Sequence, residues 1–187
     1  YEGKKKMKKF ELFYPTKPFK ITQSWGILNL SYQRFGFTRH NGVDIAMPPD
    51  KKLRSPVPMK IIAQDYFPEG GGYQVKALTT EKWEFPDGKI CYVMLAFLHN
   101  ERFLHSVGDI LEIGDEIAVP DNTGFSTGPH IHFGCYRLND DMTFVDTNEA
   151  QNSFDPIPYF NRYFAQDASL VVGIYKKIIE LMKLSLT

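Results

Sequence analysis

Hydrophobic and polar residues alternate over short runs through most of this chain, and Gly, Pro, Asn and Asp separate one run from the next. Alternation with a period of two is typical of strands that have one buried face, and the separating residues are typical of turns. The pattern therefore predicts a mainly β protein, with strands over residues 43–46, 59–64, 73–78, 90–98, 116–119 and 131–136.

The period changes after Pro158, near the C-terminus. Apolar residues recur there at helical spacing opposite a charged face, which predicts an amphipathic C-terminal helix. The apolar positions are Leu170, Val171, Ile174, Ile178, Leu181 and Met182, and the charged positions are Lys176, Lys177, Glu180 and Lys183. These charges exclude a membrane span. We expect the helix to pack on the domain rather than to form a dimer contact or a connection to another segment.

The length and composition favour one globular domain. A chain of 187 residues can bury its own core, and its 43% hydrophobic and 24% charged residues lie near the globular average. We expect a basic N-terminal extension at residues 1–18, a compact domain at 19–160 and the C-terminal helix at 161–187. Oligomeric state is left open.

The balance of charge argues against a nucleic-acid partner. The 22 basic residues match 22 acidic ones, and the one basic run is N-terminal and lacks a recognition motif. That run consists of Lys4, Lys5, Lys6, Lys8 and Lys9. Charges and a proline interrupt residues 10–17, so no signal peptide is visible after it, and localisation has to be inferred from function.

The two cysteines, Cys91 and Cys135, define neither a disulfide scaffold nor a thiolate metal site. We expect buried free thiols, although the sequence alone leaves open whether the two pair.

The histidines carry the candidate chemistry. His130 and His132 lie two residues apart in a predicted strand, so both imidazoles should project from one face. In the run from His40 to Asp44, a loop enters a strand, and Asp44 should point away from the apolar side. Imidazole and carboxylate are zinc ligands, and three protein ligands with one open position are typical of a catalytic site. His40, Asp44 and His132 can supply those three ligands.

These motifs resemble the lysostaphin-type zinc endopeptidases, the M23 family, whose signature is H-x-x-x-D followed much later by H-x-H. The resemblance covers residues 19–160 and includes further segments. These are Ile21-Thr22-Gln23-Ser24-Trp25-Gly26, the run from Asp121 to His132, the glycine turns at Gly108 and Gly114, and Phe154-Asp155-Pro156. The chain departs from the family pattern at Leu98-His99-Asn100, where Ala-His-Leu is more common, and at Pro120-Asp121, which replaces a common glycine.

The resemblance implies an antiparallel β-sheet domain with an open groove and one Zn²⁺ per chain. It implies that His40, Asp44 and His132 bind the metal and that His99 and His130 are catalytic, although which of the two is the general base stays open. His105, the remaining histidine, is expected to be exposed and to have no catalytic role.

The function that the resemblance implies is hydrolysis of a peptide bond in bacterial peptidoglycan, either in a cross-bridge or in a stem peptide. The partner is then a peptidoglycan peptide, and the location is extracellular, periplasmic or phage-associated. One alternative is a non-catalytic or latent wall-binding or regulatory module of the same fold, which could be part of a phage particle or secretion machine. A D-Ala-D-Ala-type zinc carboxypeptidase is disfavoured because its Glu-x-x-His motif is absent.

Overall fold

The computed structural model describes residues 7–162 as a mainly antiparallel β structure. Its strands are β1 Leu12–Phe13, β2 Ile21–Gln23, β3 Val43–Ala46, β4 Leu53–Arg54, β5 Met59–Phe67, β6 Gly72–Thr79, β7 Trp83–Glu84, β8 Ile90–Phe103, β9 Ile110–Leu111, β10 Glu116–Pro120, β11 His130–Leu138 and β12 Phe160–Arg162. Two short 3-10 helices span Leu30–Phe35 and Ile157–Tyr159. The predicted C-terminal helix lies outside the described residues.

The main sheet has the strand order β2-β3-β11-β8-β6-β5-β9, and β10 pairs with both β8 and β4. This confirms the predicted fold class. All six predicted strands are present, and β8 is the one that most exceeds its predicted length because it continues to Phe103 and pairs there with β10. The strands β3, β11 and β8 lie side by side and carry most of the candidate site residues.

The core lies on the other face of these central strands. Val43, Ile45, Ile131 and Phe133 are fully buried, and they alternate along β3 and β11 with the polar residues. Burying side chains of this kind contributes roughly 1.5–3 kcal/mol each relative to leaving them exposed. The alternation that predicted the strands therefore also fixes which side chains face the groove.

Residues 10–18, which belong to the predicted N-terminal extension, also contribute to the core. Phe10 and Leu12 are buried, and β1 pairs in parallel with β12 at the other end of the described chain. Phe10 stacks on Phe85 with ring centroids 4.9 Å apart. The two ends of the described chain thus meet on one side of the sheet.

Cys91 and Cys135 are both buried free thiols, as predicted. Cys135 lies opposite Leu95 on β8, which is four residues from Cys91 on the same strand. Four strand residues span about 13 Å, so a disulfide between the two is excluded. Burial raises the pKa of the Cys91 thiol to about 11, which leaves it protonated near neutral pH.

Across residues 7–162, no helix is long and apolar enough to cross a membrane.

Candidate metal centre and catalytic histidines

Strands β3 and β11 bring Asp44 and His132 directly opposite one another in the antiparallel register, and His130 lies opposite Ala46. Because side chains alternate along each strand, Asp44, His130 and His132 share the face that points away from the core. The H-x-H spacing therefore places both imidazoles at one site, as the sequence predicts.

His40 reaches the same site from the loop that precedes β3. Its backbone is held on both sides, because His40 N donates to Ile27 O and His40 O accepts from Gly26 N, each at 2.9 Å. The ring Nδ1 lies 3.0 Å from Ser24 O and donates to it, which leaves the lone pair of Nε2 facing inward. The backbone of the loop thus fixes the tautomer of His40.

Three potential ligand atoms meet at one point. His40 Nε2 lies 3.0 Å from His132 Nδ1, and Asp44 Oδ1 lies 3.1 Å from each of these nitrogens. All three residues are at most 8% exposed. A triangle of this size accommodates a zinc ion with bonds of about 2.0–2.2 Å to each atom. The cluster is the only group of three or more His, Cys, Asp or Glu residues between residues 7 and 162 that meets the geometry for a metal ion.

The charge state of the cluster also suits a cation. Burial alone would raise the pKa of Asp44, but the surrounding imidazoles of His130, His132 and His40 outweigh this and hold that pKa well below its usual range. Burial lowers the pKa of His132, so its ring is neutral near pH 7. The buried Nε2 of His132 has no hydrogen-bond partner within the described chain. A ring that carries its proton on this nitrogen presents the lone pair of Nδ1 to the other two residues of the cluster.

Gly42 packs closely against the His132 ring and the backbone of Phe133. A Cβ at this position would lie 2.5 Å from Phe133 O and 2.7 Å from His132 Nε2, which is closer than real Cβ contacts. Only glycine lets the loop backbone pass beneath the imidazole without moving it.

Substituting Gly42→Ala is therefore expected to displace His132 and to weaken zinc binding by about 10- to 100-fold, the usual effect of losing the support of a metal ligand. Competition with a chromogenic chelator measures this affinity. Gly128→Ala is the matched control, because a methyl there meets no described atom within 4 Å. Equal zinc affinity in Gly42→Ala and wild type would show that Gly42 does not position His132.

His99 enters the site through a bulge in β8. Tyr73 and Val75 of β6 pair with Asn100 and Phe97, so β8 has one extra residue at this point. His99 adopts a left-handed backbone with φ of 66°, which is uncommon for a residue other than glycine. Its N donates to Gly71 O at 2.8 Å, and its O accepts from Asp121 N at 3.1 Å. The bulge turns the His99 ring onto the groove face.

His99 and His130 are oriented in the same manner. His99 Nδ1 donates to Thr123 O at 2.7 Å, and His130 Nδ1 donates to Gly128 O at 2.7 Å. Each ring therefore presents its Nε2 at the site, and the two ring centroids are 4.8 Å apart. His130 Nε2 lies 3.5 Å from Asp44 Oδ1. The two imidazoles thus flank the three candidate ligands.

The environments of these two rings differ. Burial, followed by the nearby His132, lowers the pKa of His99 to about 4. Burial also acts against protonation of His130, but the hydrogen bond and negative charge of Asp44 raise the pKa of that ring overall. His99 is therefore a neutral imidazole at neutral pH when no metal is bound, whereas His130 stays protonated up to a higher pH than His99 does.

The backbone groups that orient these histidines could not be identified from the sequence. Ser24 O, Thr123 O and Gly128 O lie within segments that resemble the family, but a carbonyl gives no side-chain signal. One glycine contributes to the packing around Thr123. A Cβ on Gly72 would lie 2.3 Å from Thr123 Oγ1, so the first residue of β6 can touch the loop before β11 only because it is glycine.

The site lies in a groove of about 410 Å³. All five residues that the sequence singled out line this groove: His40, Asp44, His99, His130 and His132. Its walls include the aromatic rings of Tyr32, Phe35, Phe37, Phe67 and Phe125 together with polar groups from Gln23, Asn29, Gln74 and Lys76. His105 lies outside it, half-buried rather than exposed, with Nε2 2.6 Å from Glu116 O.

Comparison with known proteins finds a matching peptidase family and relatives that include a metalloprotease and an endopeptidase. Residues 38–147, more than half of the chain, match peptidase family M23. An uncharacterized metalloprotease of Buchnera aphidicola subsp. Baizongia pistaciae is 29% identical over 94 residues, which make up 50% of this chain and 22% of that protein. The glycyl-glycine endopeptidase ALE-1 of Staphylococcus capitis is 27% identical over 124 residues, which make up 64% of this chain and 28% of that protein. The chain thus spans less than a third of either relative.

The fold has a counterpart among solved structures. The catalytic domain of the antimicrobial peptidase lysostaphin from Staphylococcus simulans superposes with a TM-score of 0.55 and 24% identity, over 75% of this chain and 91% of that domain. Taken with the match over residues 38–147, this shows that the chain belongs to peptidase family M23 and has a lysostaphin-like fold.

Proposed function

We propose that this protein is a zinc-dependent endopeptidase that hydrolyses peptide bonds of bacterial peptidoglycan, in a cross-bridge or a stem peptide. The observation that carries the proposal is the buried triangle of His40, Asp44 and His132, flanked by two further imidazoles in one groove. Membership of the peptidase family and likeness to a metalloprotease and a glycyl-glycine endopeptidase support it.

His40, Asp44 and His132 would hold one Zn²⁺ per chain. When bound, zinc supplies a Lewis acid that polarises a scissile carbonyl and acidifies water. The set of two imidazoles and one carboxylate leaves a position open, which is the donor count of a catalytic rather than a structural zinc site. Asp44 also supplies the negative charge that a divalent cation needs in a buried place.

His99 and His130 would manage protons and charge in the reaction. Each ring has its Nδ1–H fixed on a backbone carbonyl, so the Nε2 atoms are the groups that can act on a substrate. One neutral ring can accept the proton of the attacking water on its Nε2, while the other ring, when protonated on Nε2, can donate a hydrogen bond to the developing oxyanion. Positioned acid–base groups of this kind typically contribute about 10²- to 10⁴-fold.

The groove suits an extended peptide substrate. Aromatic walls bury apolar surface, while amide side chains such as Gln23, Asn29 and Gln74 can bond to a peptide backbone. Peptidoglycan as substrate would place the protein where cell walls are accessible: extracellular, periplasmic or phage-associated. A non-catalytic wall-binding module is the alternative outcome of the test below.

Removing the metal tests the proposed function. Treatment with a chelator followed by desalting is expected to reduce wall cleavage at least 100-fold, and added Zn²⁺ should restore it. Without the metal, its three ligands cannot polarise the scissile carbonyl. The measurement is the release of new amino groups from purified walls, beside a mock-treated sample. Mass spectrometry of the released fragments would then identify the bond that is cut.

Several outcomes would contradict this proposal. Cleavage that resists the chelator would exclude metal dependence, and release of reducing sugar ends without amino groups would indicate a glycan-cleaving enzyme. Tight zinc binding without any cleavage of walls from diverse bacteria would favour the wall-binding module.

A further inference from the structure

A set of side-chain contacts spans the groove beside the metal site, and we refer to Arg34, Phe35, Glu69 and Phe125 as the groove bridge. Phe35 and Phe125 meet edge to face with ring centroids 5.5 Å apart. The guanidinium carbon of Arg34 lies 5.3 Å from each of these two ring centroids. Arg34 also pairs with Glu69 at 3.5 Å. Cation–π, aromatic and ionic contacts thus converge on one arginine.

The groove bridge has two halves, Arg34 with Phe35 and Glu69 with Phe125. The first half and Glu69 come from connections on either side of β11 and β8 in the strand order. Arg34 and Phe35 lie in the loop between β2 and β3, whereas Glu69 lies in the turn between β5 and β6. In the order β2-β3-β11-β8-β6-β5, strands β11 and β8 lie between those two pairs. These two strands carry His130, His132 and His99. Contacts between the halves therefore cross over the strands that form the site.

The bridge is the outer end of an aromatic wall that begins at a candidate ligand. His40 stacks on Tyr32 at 5.9 Å, Tyr32 on Phe37 at 5.4 Å, and Phe37 on Phe35 at 6.2 Å between ring centroids. Phe35 then contacts Phe125 on the opposite side. The same rings line the groove. The bridge is thus continuous with the groove wall and is not an isolated surface contact.

The two halves of the bridge differ in how tightly they pack. Phe125 N donates to Gly70 O at 2.6 Å, and the backbones of Gly124 and Gly72 touch, so Phe125 and Glu69 belong to one packed unit. The 3-10 helix that carries Arg34 has no buried residue in the described structure. Its side of the bridge also contains Gly26 and Gly36, both with positive φ. Opening would therefore swing the helix away from Phe125.

The contacts that hold the bridge are individually weak. The side chains of Arg34 and Glu69 are 50% and 75% exposed, so solvent screens their ion pair. The edge-to-face ring pair and the cation–π contacts are small contributions at exposed positions. A bridge built in this way can be closed at rest and still open on binding.

We propose that the groove bridge determines specificity by sorting peptides according to whether they have a free end. This inference rests on the proposed function. While the bridge is closed, a linear peptide can enter the groove by its end. A cross-linked peptide is joined to the polymer at both ends and has to enter from the side. Such a peptide reaches the histidines only when Arg34 and Phe35 separate from Glu69 and Phe125.

The test is to lock the bridge chemically. The double variant Arg34→Cys/Glu69→Cys is joined with a short bismaleimide, which targets the introduced cysteines because Cys91 and Cys135 are buried. The matched control is Lys82→Cys/Asp140→Cys, which replaces another ion pair, 2.6 Å long and partly exposed, by the same cross-link outside the groove lining. Bound zinc and thermal unfolding are measured on every sample to show that the fold is intact.

The probes are intact purified walls and a synthetic linear peptide that contains the bond cut in those walls. Locking Arg34→Cys/Glu69→Cys is expected to reduce wall cleavage at least tenfold while changing cleavage of the linear peptide by less than twofold. The same variant before cross-linking, and the locked control, should cleave walls at least half as fast as wild type. Equal wall cleavage before and after locking would overturn the proposal, as would an equal loss on both probes.

Sedimentation of metal-free protein with walls separates this inference from the proposed function. If the unlocked variant binds walls but cuts neither probe, the proposed function fails, and binding still decides the role of the bridge. Loss of sedimentation after locking would then support that role, and unchanged sedimentation would overturn it. Absence of both wall binding and cleavage of either probe by the unlocked variant would overturn both proposals.

Discussion

The substitution His132→Ala is expected to remove both zinc binding and wall cleavage. His132 Nδ1 lies within 3.1 Å of both other candidate ligand atoms, so its loss would leave only two of the three proposed ligands. Loss of a group that supports a ligand costs about 10- to 100-fold in affinity, and loss of the ligand itself should exceed that range. Cleavage should fall at least 1,000-fold, in line with roughly several kcal/mol from the metal.

Elemental analysis and wall digestion measure these effects, and His105→Ala is the matched control. His105 is a half-buried histidine outside the groove whose ring bonds to Glu116 O. Its removal should leave zinc content unchanged and cleavage within about twofold. Because His132 is 5% exposed, thermal unfolding has to confirm that His132→Ala is folded. A folded His132→Ala protein that still held zinc and cut walls would exclude His132 as a ligand.

The second large effect is expected at the two flanking histidines. His99→Ala and His130→Ala should each keep about one zinc per chain and lose cleavage by about 10²- to 10⁴-fold, because neither ring belongs to the ligand triangle. The loss should appear in kcat with little change in KM, since these groups act on the reacting atoms. The double variant should lose much less than the product of the two single effects, because groups that act as a unit are not additive.

Backbone strain at His99 calls for a further variant. Asn tolerates a left-handed backbone better than Ala, so His99→Asn keeps the bulge of β8 while removing the imidazole Nε2. We expect His99→Asn to lose as much activity as His99→Ala. Nearly full cleavage by either His99 variant with zinc still bound would show that His99 has no catalytic role, and the same result for His130→Ala would exclude His130.

Much of the site could be predicted from the sequence because its main elements are local. A period of two fixes which residues of β3 and β11 share a face, so the apolar partners Ile45 and Ile131 identify the face of Asp44 and His132. The residue types then limit the chemistry, since imidazole and carboxylate are metal ligands. The fold class followed from the same alternation together with the turn residues.

The remaining features depend on contacts that are distant in sequence. Leu12 belongs to the core through a two-residue strand that pairs with β12, and two residues are too few to show a period. The left-handed backbone of His99 depends on Gly71 and Thr123, which lie on other elements. The groove bridge joins two loops across the sheet. None of these leaves a periodic or compositional signal in its own segment.

Asp44 connects the proposed metal site with the proposed catalytic groups. Its Oδ1 lies 3.1 Å from His40 Nε2 and His132 Nδ1, and 3.5 Å from His130 Nε2. A single carboxylate oxygen thus faces two candidate ligands and one flanking histidine. Any change at Asp44 should therefore affect metal affinity and the position of His130 together, whereas changes at His99 should affect cleavage alone.

The zinc content of the purified protein, determined by elemental analysis after incubation with Zn²⁺ and desalting, tests the proposed metal site most directly. We expect one zinc per wild-type chain and no stoichiometric zinc in His132→Ala. Absence of zinc from the folded wild-type protein, or equal zinc in both proteins, would contradict this expectation.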